Sequence, residues 1–187
     1  MRLLVALVAS FVAFSPLHAA EDYSGTIKIF KTSPVVKPYF DTAYGYAVFP
    51  TIGKGAVGIG GAHGKGQVYR GNKVTGYTSM TQLTIGFQLG GQAYTQIIFF
   101  EDKRAYDTFT SGNFEFGAQA TAVAITAGAT AQAGTGGGGA SATAGGGQAG
   151  KQESSYSNGM AIFTYVKGGL MYEASLGGQK FNFKPAN

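Results

Sequence analysis

The chain has 187 residues, a formal net charge of +5 and no cysteine. Without cysteine it has no disulfide, no thiol nucleophile and no thiolate metal site. Its 31 glycines, its low charged fraction of 12% and its Tyr and Phe aromatics favour a β-rich domain.

The first 20 residues are typical of a secretory signal peptide. Met1-Arg2 precedes an uncharged apolar stretch from Leu3 to Phe14, and small residues, Ala19 and Ala20, follow at the expected cleavage point. The apolar stretch is shorter than the roughly 20 residues that a membrane-spanning helix needs. We therefore expect an exported, periplasmic protein whose mature chain, residues 21–187, is a single domain.

Basic residues are concentrated in the N-terminal third. Between Tyr23 and Lys73 there are seven basic residues and one acid, Asp41, whereas from Val74 onward there are six of each sign. This asymmetry favours an anionic partner, although the same lysines would equally serve to keep a glycine-rich surface soluble. The seven are Lys28, Lys31, Lys37, Lys54, Lys65, Arg70 and Lys73.

In chain order, residues 22–31 suit either an edge strand or a short amphipathic helix. Pro38 predicts the start of a short helix that Gly45 ends.

A short apolar strand is predicted over Tyr46–Pro50, followed by a turn at Gly53–Gly55. Val57 and Ile59 alternate with glycines and predict a strand with one bare face. Arg70–Lys73 separates two strand-like runs and predicts a hairpin turn.

Alternation is clearest from Thr81 to Leu89, where every second residue is apolar (Leu83, Ile85, Phe87 and Leu89). A period of two predicts a strand that buries its apolar face. Gly90-Gly91 predicts a bend, after which Ala93–Phe100 forms a second strand. We expect these two strands at the centre of the sheet.

The C-terminal half continues with a helix predicted over residues 101–111, which Gly112 ends. One alternating strand is expected from Phe114 to Ile125. Residues 128–150 contain glycine, alanine and small polar residues and predict a flexible loop. Further strands are expected over residues 159–167, 170–176 and 179–183.

These elements predict an α+β fold that is dominated by an antiparallel sheet, either barrel-like or in two layers. Short helices are expected near residues 38–44 and 101–111.

The sequence offers little for catalysis or for a cofactor. After the predicted signal peptide one histidine is left, His63, and a lone histidine does not make a metal site. A phosphate-binding loop is excluded because Ile59 and Gly66 occupy positions that require Gly and Ser or Thr. Only a distant carboxylate pair such as Glu115 and Glu173 stays open. We predict a protein that is not an enzyme, with no cofactor, no metal and no nucleic-acid partner.

Several short motifs together resemble the SYLF domain. Among them are Tyr46-Ala-Val-Phe-Pro50, Ile85-Gly-x-Gln-x-Gly90, Phe99-Phe100, Gly169-Leu-Met171 and Gly177 to Phe181. The similarity runs in order from Ile27 to Phe183, and the glycine- and alanine-rich loop is where this sequence departs from the family.

This resemblance implies lipid binding, because eukaryotic SYLF domains bind acidic phospholipids through a basic, amphipathic N-terminal region, and some also bind actin. In a periplasmic protein we expect the recognition of anionic headgroups, such as phosphatidylglycerol or cardiolipin, and not of actin. Lys28, Lys31, Lys37 and Lys54 lie in the corresponding region. Ile27 and Phe30 are expected either to contact the membrane interface or to pack on the sheet.

Two other classes of protein are consistent with the sequence. Val74–Phe100 has no charge and alternates in part, as in a small outer-membrane β-barrel, although most of the strands are shorter than such a barrel requires. Alternatively, the face from Phe114 to Ala124, or the glycine-rich loop, contacts an unknown protein of the cell envelope.

Overall fold

The computed structural model describes residues 23–57, 59–85, 92–117, 120, 122–125, 156–166 and 176–187. The predicted signal peptide, the Gly90-Gly91 bend, the 128–150 loop and residues 170–175 of the strand expected over residues 170–176 lie outside these ranges. Within them, the helices are α1 (Tyr23–Thr32), α2 (Lys37–Thr42) and α3 (Lys103–Phe109). The strands are β1 (Gly45–Val57), β2 (Ile59–Arg70), β3 (Lys73–Ile85), β4 (Gln92–Phe100), β5 (Phe114–Glu115), β6 (Val123–Ile125), β7 (Met160–Val166) and β8 (Gln179–Pro185).

All eight described strands belong to one sheet, in the order β5-β8-β3-β2-β1-β4-β7-β6. Neighbouring strands are antiparallel except β6 and β7, which are parallel. The predicted α+β fold with a dominant antiparallel sheet is therefore confirmed. Its centre, however, is the long β1–β2 hairpin, and β3 and β4 flank this hairpin. None of the described helices is long and apolar enough to span a membrane.

The sheet is strongly curled. Two strands separate β1 from β8, so in a flat sheet they would lie about 14 Å apart. Nevertheless, the rings of Phe49 on β1 and Phe181 on β8 are 5.6 Å apart. Gln96 on β4 and Gln179 on β8 exchange side-chain hydrogen bonds of 3.1 and 3.3 Å. The concave face of the sheet therefore closes over its own side chains.

The interior of the curl holds the first core cluster, which combines aliphatic side chains with several aromatic rings. Phe109 of α3 contacts both Phe100 and Phe181, so α3 closes one end of the interior. Asp102 caps α3 by accepting a hydrogen bond from the backbone N–H of Ala105, as expected at a helix N-terminus. The predicted helix over residues 101–111 is confirmed.

The convex face carries a second core cluster, which α1 and α2 cover. Phe30 of α1 is fully buried there, and Tyr39 of α2 packs against Phe99 and Phe163 at ring distances of 5.4 and 5.0 Å. Residues 23–32 are thus a helix, because Thr26 and Phe30, spaced by four, give it one buried face. The helix predicted from Pro38 is also confirmed.

The turn predicted at Gly53–Gly55 is wrong. These residues continue β1, where Gly53 pairs with His63 of β2 and with Ala93 of β4. Because β1 is paired on both sides, ladder hydrogen bonds outweigh the local preference of glycine for a turn. The hairpin turn between Arg70 and Lys73 is confirmed.

The burial predicted for Leu83 on β3 is also wrong, whereas the side chains of Ile85, Phe87 and Leu89 lie outside what the structure describes. Leu83 is 81% exposed, whereas its neighbour Gln82 is 3% exposed. Gln82 lies on the same side of β3 as the core residue Met80, and its amide donates a hydrogen bond to the carbonyl of Gly177. In the described part of the chain, the cluster beneath α1 and α2 contains no β3 residue, so the outward side of this strand is uncovered.

The single strand predicted from Phe114 to Ile125 is instead two strands. β5 pairs with β8 and β6 pairs with β7, at opposite ends of the sheet order. Eight residue steps reach at most about 27 Å, whereas eight strands side by side in a flat sheet would span roughly 34 Å. The curl brings the two ends close enough for this connection.

We predict that Leu83→Thr changes the free energy of unfolding by less than about 0.5 kcal/mol, because this side chain is in solvent. Met80→Ala, three residues earlier in the interior, is expected to cost about 2–5 kcal/mol. Urea unfolding followed by circular dichroism measures both. A larger loss of unfolding free energy from Leu83→Thr than from Met80→Ala would contradict the burial of the Met80 side of β3 and the exposure of its Leu83 side.

Gly66 and Gly53 provide a matched pair for the close packing of β1 against β2. A Cβ at Gly66 would lie 2.7 Å from the Phe49 ring and 2.8 Å from the carbonyl oxygen of Val48, whereas a Cβ at Gly53 meets nothing within 4 Å. Gly66→Ala should therefore cost about 1–3 kcal/mol, and Gly53→Ala should be neutral or slightly stabilising. Equal melting temperatures for the two variants would refute this packing.

Candidate functional site

An open pocket of about 540 Å³ lies where α1 and α2 meet the start of β1 and the β2–β3 turn. We call it the basic pocket. Two ammonium groups and one carboxylate give its lining a formal charge of +1. The lining residues are Lys31, Lys37, Phe40, Asp41, Ala43, Gly45, Tyr46, Gly71 and Asn72.

The tight connection between α1 and α2 brings the two lysines to the same pocket. The Ser33 carbonyl accepts hydrogen bonds from the backbone N–H groups of Val36 and Lys37, at 3.1 and 2.9 Å. Val36 is fully buried and fixes this connection to the sheet. As a result, the end of α1 with Lys31 lies beside the start of α2 with Lys37.

Aromatic packing positions Lys31. Its ammonium nitrogen is 5.1 Å from the centre of the Phe40 ring, within the range of a cation–π contact. Phe40 in turn packs edge-on against Tyr46 and Phe99, at 5.3 and 4.9 Å. The charge of Lys31 is therefore held at the pocket wall by a ring that is itself anchored in the core.

Gly45 and Tyr46, at the start of β1, contribute a wall with no charge. A Cβ at residue 45 would lie 2.5 Å from the Tyr69 carbonyl oxygen, so only glycine fits there. Tyr46 stacks on Tyr69 at 5.0 Å, and burial raises the pKa of Tyr46 to about 12. Tyr46 is thus neutral at physiological pH and does not offset the two lysines.

The β2–β3 turn forms the remaining wall. Gly71 has a φ of +58°, a left-handed conformation that glycine adopts readily, and Asn72 follows it. Arg70 and Lys73 flank the turn and are exposed. The guanidinium of Arg70 lies 5.8 Å from the Tyr44 ring and donates a hydrogen bond of 3.4 Å to its hydroxyl.

The predicted basic residues therefore do not form one patch. Lys31 and Lys37 line the basic pocket, Arg70 and Lys73 lie beside it, and Lys28 is exposed one turn before Lys31 on α1. The other two lie farther along the long hairpin. Lys65 is five residues, or about 16 Å, from Arg70 along β2, and Lys54 pairs with Ala62 deeper in β1.

Of the two predicted apolar contacts, Phe30 packs on the sheet. It is fully buried in the second cluster, so its alternative role as a membrane contact is wrong, and Ile27 is partly buried against the same cluster. The exposed apolar side chains here are Ile29 and Val35, at 38% and 46% exposure. Sequence reasoning missed them, although the spacing of Thr26 and Phe30 would have placed Ile29 off the buried face once the helix was assigned.

In the described structure, the lysines of the basic pocket are not neutralised by ion pairs, so their charges are available to an anion. Among the described residues there are three ion pairs, and none includes Lys31, Lys37, Arg70 or Lys73. The pairs are Lys103–Asp107, Arg104–Asp102 and Lys180–Glu115. The part of the chain that the structure describes also has no group of three or more His, Asp or Glu residues suited to a metal ion.

The fold and the pocket define a strand-dominated domain whose two N-terminal helices border a basic surface site. The family model described as "Ysc84: Las17-binding protein actin regulator" matches residues 81–186. Beta cell expansion factor A of Aeromonas veronii is 31% identical over 158 residues, which are 83% of this chain and 51% of that protein. The chain thus spans about half the length of this curated relative. It belongs to the Ysc84, or SYLF, family, as the sequence motifs predicted.

We predict that Phe30→Ala lowers the free energy of unfolding by about 3–5 kcal/mol, because Phe30 is fully buried beneath α1. Ile29→Ala, its neighbour on the outer side of the helix, should change this free energy by less than about 1 kcal/mol. Since the chain has no tryptophan, tyrosine fluorescence or circular dichroism in urea is the appropriate signal. A stable Phe30→Ala variant would show that α1 is not held by this contact.

Proposed function

We propose that this protein binds the surface of anionic phospholipid membranes, through the basic pocket and the cations beside it, without catalysing a reaction. One observation carries the proposal: Lys31 and Lys37 line the same open pocket, with Arg70 and Lys73 flanking its outer turn. None of these four side chains takes part in the ion pairs of the described residues.

The magnitudes support a peripheral, salt-sensitive association. A basic residue near an anionic membrane surface contributes on the order of 1 kcal/mol. Four such residues therefore contribute on the order of 4 kcal/mol, about a thousandfold in the binding constant. Salt at about 0.5 M shortens the screening length to a few ångströms and weakens this attraction.

Two exposed apolar residues would add a second, weaker contribution to membrane binding. Ile29 on α1 and Val35 in the α1–α2 connection lie close in sequence to Lys31 and Lys37 and are partly exposed. Shallow insertion of such side chains at the headgroup level would supplement the charges.

Membership of the SYLF family also supports membrane binding, because eukaryotic SYLF domains bind acidic phospholipids, but it does not specify the lipid. With the predicted signal peptide, we propose an exported, periplasmic protein whose partners are phosphatidylglycerol- or cardiolipin-type membranes. The family description names Las17 binding and actin regulation, which we do not extend to this chain.

A second candidate is a protein partner in the cell envelope. The outward side of β3 exposes Leu83 and Tyr77, at 81% and 50%, beyond the part of the sheet that α1 and α2 cover. An apolar and an aromatic side chain on one uncovered strand are features of protein-binding surfaces.

We predict that Lys31→Gln together with Lys37→Gln weakens binding to phosphatidylglycerol-containing vesicles by about thirtyfold at low salt, since two cationic contacts are lost. Co-sedimentation of the signal-free protein measures this. The matched control is Lys180→Gln with Lys184→Gln, which makes the same charge change on β8.

The control variant should bind nearly as the unmodified protein does, and phosphatidylcholine vesicles should bind neither. Equal losses of vesicle binding in the two double variants would mean that binding depends on the net charge of the protein and not on the pocket. If no vesicle binds the unmodified protein, the proposal fails, and the protein-partner candidate takes its place.

A further inference from the structure

We infer that the basic pocket selects among phospholipid headgroups. It takes a phosphodiester with a single negative charge whose alcohol part carries a hydrogen-bond donor. This inference rests on the proposed function. It comes from Asp41, the single acid between Tyr23 and Lys73, which lies in the pocket with Lys31 and Lys37.

The formal charge of the pocket matches a phosphodiester. Two ammonium groups and one carboxylate sum to +1, and Tyr46, whose pKa burial raises still further above physiological pH, adds no charge. A phosphodiester carries one negative charge and neutralises the lining itself, with Arg70 and Lys73 outside the lining. A phosphomonoester carries up to −2 at neutral pH, and its second charge would be repelled by Asp41.

Lys37 and Asp41 on α2 would contact different parts of a bound headgroup, Lys37 the phosphate and Asp41 the alcohol part. They are four residues apart on one helix face, about 5–6 Å between Cβ atoms, and yet they form no ion pair with each other in the described structure. A phosphate between Lys31 and Lys37 would therefore direct the alcohol part of the headgroup towards Asp41. A carboxylate only accepts hydrogen bonds, so it favours a hydroxyl or ammonium there.

The β2–β3 turn adds polar groups to the pocket lining without adding charge. Gly71 and Asn72 form this part of the lining, and the Asn72 amide both donates and accepts hydrogen bonds. Headgroup discrimination is thus concentrated at Asp41, the one lining residue that repels an anion.

The test compares vesicles of phosphatidylglycerol and phosphatidylmethanol in a phosphatidylcholine background. Each anionic lipid carries one negative charge, so the surface charge is equal, but only phosphatidylglycerol has hydroxyl donors beyond the phosphate. We expect the unmodified protein to bind phosphatidylglycerol about three- to tenfold more tightly, which is the net effect of one typical hydrogen bond in a site that is open to water. Asp41→Ala should bind both vesicles and lose this preference.

Asp107→Ala is the matched control, because it removes an exposed aspartate from α3 with the same change in charge. It should keep the preference. Equal binding of the unmodified protein to both vesicles would overturn the inference while leaving the proposed function intact. Binding to neither vesicle would overturn both. A preference that persists in Asp41→Ala would refute the role of Asp41.

A soluble probe separates headgroup recognition from the binding of any phosphate. Glycerophosphoglycerol should shift the backbone amide resonances of Asp41 and Asn72 in the unmodified protein but not in Asp41→Ala. Inorganic phosphate should give smaller shifts. Equal shifts with both probes would make the pocket a general phosphate site and would overturn the proposed selectivity.

Discussion

Contact between distant strands across the curl is the constraint on which the rest of this structure depends. The reciprocal amide hydrogen bonds of Gln96 and Gln179, with the Gln179 amide also donating to the Tyr94 hydroxyl at 3.1 Å, join β4 to β8 inside the sheet. All three side chains are buried, so each amide must find a partner there. Because amide pairs are directional, they fix one curled arrangement more specifically than the surrounding apolar contacts do.

The curl gives the sheet two faces with different roles. The concave face buries its side chains against each other and against α3, so it needs no other layer. The convex face buries only the part of β1, β2, β4 and β7 that α1 and α2 cover, and it leaves the outward side of β3 in solvent. The basic pocket arises at the border of the covered part, where the two helices end beside the β2–β3 turn.

The pocket combines residues that are far apart in sequence but are each fixed by local rules. The Ser33 connection sets the distance between Lys31 and Lys37, the Phe40 ring positions the Lys31 ammonium, and Gly71 allows the turn. The concentration of basic residues in the N-terminal third predicted the cations of this site from the sequence. It did not distinguish Lys31 and Lys37 from Lys65, because strand length separates residues that composition treats as equivalent.

By itself the sequence determined the family, the dominance of strands, the helices that follow Pro38 and Glu101, the Arg70–Lys73 hairpin turn and the basic character of the N-terminal third. These features are local, since proline, glycine, capping residues and side-chain alternation act within a few residues. Only the tertiary structure decided which side of β3 is buried, because alternation is the same for either face and Gln82 finds its partner at Gly177, 95 residues away. It also placed Phe30 in the core, divided residues 114–125 between the two ends of the sheet, and brought Asp41 into the pocket beside the lysines. Each of these outcomes depends on contacts between elements that are separate in sequence, which no short segment encodes by itself.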